Sequence, residues 1–67
     1  MKIDVLYQFN ERYAPYAGTS ITSLFENNRH FQEIRIFILG EGLSQESIRR
    51  LKTTGERYDR EIRFVET

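Results

Sequence analysis

Cysteine is absent from the 67-residue sequence, which excludes disulfides and the cysteine-bearing zinc sites that hold many small chains together. Histidine occurs once; His30 stands in a polar stretch with no metal-ligand neighbour at any standard spacing and reads as a surface residue. Neither sign of charge is in excess, since ten Lys and Arg balance ten Asp and Glu. That balance removes the electrostatic case for nucleic acid or an anionic membrane as partner. The longest apolar run is the few residues from Ile36 to Leu39, far short of a bilayer span. Met1-Lys2 leads directly into an alternating segment, without the apolar stretch and cleavage site of a signal peptide. A soluble, cytoplasmic chain of one small domain is expected. A chain of this length buries only about 60% of the surface it exposes when unfolded, so its stability margin is narrow.

What is present is a clean change of period along the chain. Ile3, Val5, Tyr7 and Phe9 alternate with Asp4, Leu6 and Gln8, the pattern of a strand. Tyr13, Tyr16, Ala17, Ser20, Ile21, Leu24 and Phe25 then recur at three/four spacing as one helix face, with Pro15 in the first turn and Asn27-Asn28 as the stop. Residues 34–39 form a second strand, apolar on both faces over its latter half, as in parallel sheets covered by helices on both sides. Ser44 is placed to cap a second helix, with Glu46 in its first turn and Ile48, Leu51 and Tyr58 as its inner stripe. Glu46 with Arg50 and Glu56 with Arg60 stand at i,i+4 on a solvated face. Residues 61–66 alternate again as a third strand. The order βαβαβ implies an α/β fold, a Rossmann-like three-stranded parallel sheet in the order 3-2-1 with two helices. The sequence stops just after the third strand, and such a sheet is half of a doubly wound domain, so a truncated piece is expected.

Few residues combine into chemistry. Gly40 and Gly42 begin a dinucleotide-like fingerprint, but Gln45 stands where the third glycine belongs and the unit follows the second strand, so a strand-to-helix turn is the reading. No Walker loop occurs. Thr19, Ser20 and Thr22 have no base beside them, and Asp4, Glu11 and Glu41 are not paired by spacing. The turn after the first strand is different in kind. It lies where open α/β sheets bind ligands, yet Asn10-Glu11-Arg12-Tyr13 contains no glycine. Asn10 offers donors and an acceptor, Arg12 a cationic fork and Tyr13 a flat ring. Two readings stay open from the residues alone. Either these groups face a ligand, or Asn10 caps the helix, Arg12 is solvated and Tyr13 packs inward.

Tyr13-Ala14-Pro15-Tyr16, Ser20-Ile21, Ser23-Leu24, Asn27-Asn28 and Gly42-Leu43-Ser44 form a pattern that, over essentially the whole chain, resembles the N-terminal segment of the family-8 glycosyltransferases. These retaining enzymes include lipopolysaccharide galactosyl- and glucosyltransferases and glycogenin. The resemblance implies the first part of a GT-A fold, with residues 1–67 as the nucleotide-sugar-binding part of a hexosyltransferase. It implies a UDP-sugar donor, a glycan or lipopolysaccharide acceptor, and a turn that holds uracil and ribose rather than phosphate. By position, Gln8 contributes backbone contacts near the nucleoside, Asn10 replaces a frequent aspartate, Arg12 replaces a frequent asparagine, and Tyr13 matches the tyrosine near the base. The family's Asp-x-Asp site for Mn²⁺ or Mg²⁺ has no counterpart here, so no catalytic or metal residue is assigned. The chain alone is expected to be inactive and to self-associate through its first strand. A stand-alone βαβαβ binding module without catalysis is the competing reading.

Overall fold

The computed structural model describes residues 2–65; Glu66, the last position of the expected third strand, lies outside them. Strand β1 (Lys2–Asn10) leads through a single 3-10 turn (Glu11–Tyr13) into helix α1 (Ala14–Asn27). Strand β2 (Glu33–Glu41), helix α2 (Gln45–Arg57) and strand β3 (Glu61–Val65) follow. The three strands form one sheet, ordered β1-β2-β3, and both pairings are parallel. This is the α/β arrangement that the alternating periods require.

Two successive crossovers of the same hand, stepping in the same direction, place both helices on one face of the sheet. Ile21 and Phe25 from α1 and Leu51 from α2 therefore meet Ile34, Ile36 and Ile38 of β2 in one buried cluster. Ile3, Val5, Tyr7 and Phe9 of β1 and Ile62 and Phe64 of β3 pack around it. Each fully buried side chain of this size contributes about 1.5–3 kcal/mol relative to exposure. β2 supplies three of them because it is the central strand.

The other face of the sheet is not covered by a helix among the described residues, which corrects the expectation of cover on both sides. Its upper half is apolar, with Leu6 beside Phe37 and Leu39 beside Val65 in register. Leu6 is 64% exposed there. The lower half is a charged ladder, in which Arg35 of β2 donates from Nε and Nη2 to the two oxygens of Asp4 in β1, both at 2.8 Å.

The element ends follow local chemistry. Asn27 and Asn28 stop α1 by donating their side-chain amides to the carbonyls of Ser23 and Leu24, each at 2.8 Å. Ser44 caps α2, its hydroxyl accepting from the Ser47 N–H at 3.1 Å. Glu46 and Arg50 form the expected ion pair at 2.9 Å. Glu56 and Arg60 do not, because α2 ends at Arg57 and Arg60 lies beyond it. Arg60 instead donates to the carbonyl of Gln32 at 3.3 Å. Gly42, in the turn before α2, has a φ of +65°, a region that suits glycine and strains other residues.

Candidate functional site

An open cleft of about 860 Å³ lies at the C-terminal ends of β1 and β2, the place where parallel sheets present ligands. Register builds its floor, since Gln8 lies beside Leu39, Phe9 beside Gly40 and Asn10 beside Glu41. The 3-10 turn and the start of α1 build its wall with Tyr13, Tyr16 and Ala17. Tyr7 joins the wall and is held by a 2.9 Å hydrogen bond between its hydroxyl and that of Ser20.

Three of the four residues singled out in the sequence come together here. Gln8, Asn10 and Tyr13 line the cleft, and Arg12 does not. Asn10 occupies the cap position of the 3-10 turn but makes no side-chain cap bond, so its amide stays available. Tyr13 does not pack inward either; the residue is 52% exposed. Arg12 is exposed and forms no ion pair or hydrogen bond among the described residues.

The inner stripe of α1 therefore needs correction. The buried residues are Ala14, Ala17, Ile21 and Phe25, and Tyr16 is 72% exposed. Ala17, Ile21 and Phe25 hold their expected places, whereas Tyr13 belongs to the 3-10 turn before the helix and Tyr16 and Ser20 flank the buried face. Tyr13 and Tyr16 end up as a tilted aromatic pair on the rim, with centroids 6.2 Å apart. Sequence reading missed Tyr7, Tyr16 and the Leu39–Glu41 edge as members of the site. The available signal was topological: the strand that pairs with β1 must end beside it.

Glu11 turns away from the cleft toward α2. Its carboxylate accepts hydrogen bonds from the Ser44 N–H at 2.8 Å, the Ser44 hydroxyl at 3.1 Å and the Ser47 hydroxyl at 2.9 Å. The Ser44 backbone bond, followed by the Ser47 hydroxyl, holds this carboxyl below the ordinary glutamate range.

The divalent metal implied by the family resemblance has no fitting donor set here. No group of three His, Cys, Asp or Glu able to hold a metal ion occurs among the described residues, and a hard cation needs such oxygen ligands. No helix of the described residues is long and apolar enough to cross a membrane. No curated protein and no solved structure matches the chain. The profile of glycosyl transferase family 8, however, matches residues 4–67. That match takes in all of the sheet but the first two residues of β1, both helices and every residue of the cleft, and the chain therefore belongs to glycosyl transferase family 8, whose members pass a sugar from a donor to an acceptor.

Proposed function

We propose that this chain is the donor-binding part of a retaining hexosyltransferase that uses a UDP-sugar and a glycan or lipopolysaccharide acceptor. The cleft holds the nucleoside: Asn10 bonds the edge of the uracil, Tyr13 lies against the ring, and Gln8 contributes through its backbone. The observation that carries this reading is that Asn10 and Tyr13 are both spared from structural duty. Asn10 makes no cap bond and Tyr13 is half exposed, although a helix start of this kind favours a capping side chain and an inward ring. A turn that grips a nucleoside by side chains has no need of the glycines that let backbone approach a phosphate.

The diphosphate is left to groups outside the described residues, because no cluster among these can hold Mn²⁺ or Mg²⁺. The chain on its own is therefore expected to transfer no sugar, which a radiolabelled transfer assay with added metal checks.

Titration of the isotope-labelled chain with UDP and, separately, with uridine tests the binding reading. Amide shifts confined to residues 8–13, Tyr16 and residues 39–41 are expected, with uridine reproducing the pattern. Shifts with UDP but none with uridine would mean that the turn contacts phosphate, which would move the assignment toward Arg12. No shift with either at millimolar concentration overturns the donor-site reading for this chain.

A further inference from the structure

The hold of Glu11 on α2 is more than the cap of a helix needs. Ser44 already caps α2 through the Ser47 N–H, and Glu11 adds three further bonds from a different element. Glu11 is separated from Asn10 by no residue and from Tyr13 by one, and both neighbours line the cleft. Locally, the turn is held by its backbone alone. Neither Asn10 nor Tyr13 makes a side-chain cap bond, and the turn closes through backbone bonds such as that from the Ala14 N–H to the Glu11 carbonyl. The anchoring carboxylate also sits at the positive end of α2, where a helix favours negative charge.

We propose that Glu11 is a positioning residue for the donor turn. Clamped on Ser44 and Ser47, it fixes the backbone from Asn10 to Tyr13 so that their side chains face the nucleoside, and it couples donor affinity to the start of α2. This rests on the donor-site reading above. Glu11 itself does not touch the donor.

The test uses the full chain and its Glu11→Gln, Ser47→Ala and doubly substituted forms, with amide spectra recorded free and during UDP titration. In the free chain, both single variants should shift the amides of residues 10–13 and leave those of residues 58–60, at the far end of α2, in place. Glu11→Gln should weaken UDP binding about tenfold, the scale of losing a charge-assisted hydrogen bond. The double variant should bind no more weakly than Glu11→Gln alone, because Ser47 acts through Glu11. Ser47→Ala removes one hydroxyl and leaves the Ser44 cap, so it carries the test if Glu11→Gln fails to fold. Unmoved amides at residues 10–13 with parental UDP affinity would show that Glu11 only stabilises α2; this overturns the proposal and leaves the donor site standing. A parental chain that does not bind UDP overturns the donor-site reading and this proposal with it.

Discussion

Arg12 and Tyr13 are adjacent in the chain and differ in what the fold asks of them. Tyr13 lines the cleft and is half exposed, and Arg12 lies outside it without a partner among the described residues. Stacking of a base on an aromatic ring is worth about 1–3 kcal/mol by alanine substitution. Tyr13→Ala is therefore expected to weaken uridine binding by about tenfold or more, and Tyr13→Phe to keep most of it. Because the ring is not core, the urea midpoint of Tyr13→Ala should move little, within about 0.5 kcal/mol. Arg12→Ala should change neither quantity. A tenfold loss of UDP affinity in Arg12→Ala, with uridine affinity intact, would reassign Arg12 to the phosphates. The sequence displayed the residue types of this turn, but not their directions. Whether Asn10 caps and whether Tyr13 points inward depend on the 3-10 turn between β1 and α1, which leaves no distinct mark in residue spacing.

Gly18 and Gly55 test how tightly each helix sits on the rest. Both lie in helix interiors, where alanine is favoured over glycine by about 0.8–1 kcal/mol. A Cβ at Gly18 would rest 3.9 Å from Leu51 Cδ2, an ordinary contact. A Cβ at Gly55 would meet the Arg60 carbonyl oxygen at 2.9 Å and Ile62 Cγ1 at 3.0 Å. The first of these is backbone, fixed by the 2.8 Å bond from the Arg60 N–H to the Gly55 carbonyl. Gly18→Ala should stabilise the chain by about 0.5–1 kcal/mol, and Gly55→Ala should destabilise it by about 1–3 kcal/mol through overpacking. Urea unfolding of the two variants reads the opposite signs directly; equal signs would mean that α2 can shift away from β3. The elements themselves were legible, because period two and period 3.6 alternate without ambiguity and Pro15, Asn28 and Ser44 mark the ends. What was not legible was close approach. The need for a glycine at Gly55 appears only when β3 returns against α2. The Glu56–Arg60 pair failed for a related reason, since an i,i+4 spacing binds only where the helix continues.

At the scale of the whole molecule, the apolar core of the described residues lies on the helix side of the sheet, and three of the long-range polar ties end on carboxylates. Asp4 joins β1 to Arg35 of β2, Glu11 joins the turn to Ser44 and Ser47 of α2, and Glu26 of α1 accepts from the Tyr58 hydroxyl at the end of α2. The parallel βαβαβ frame was legible from residue order; that no helix of the described residues covers the second face of the sheet was not, because β2 is apolar toward both sides in its latter half. The three carboxylates share one electrostatic signature. The Arg35 hydrogen bond lowers the pKa of Asp4, the Ser44 backbone bond that of Glu11 and the Tyr58 hydrogen bond that of Glu26. A lowered folded-state pKa means that the unfolded chain binds protons more readily, so stability falls as protons are added. The contribution of each tie is fully present above the ordinary values, 3.8 for aspartate and 4.5 for glutamate, and is lost as pH falls through the lower folded values. Tyr58 has the opposite sign. Its pKa is raised above 10.0, chiefly by the bond to Glu26, so its contribution holds below that pH and disappears as pH rises through the folded value. Thermal melting followed by circular dichroism should therefore show a plateau across neutral pH, a fall below about pH 4.5 and a second fall above about pH 10. Asp4→Asn and Glu11→Gln should each lower the plateau and flatten the acid limb, while leaving the alkaline limb in place. A melting temperature that stays level from neutral pH down through the carboxylate range would mean that these ties add nothing to the stability of the fold.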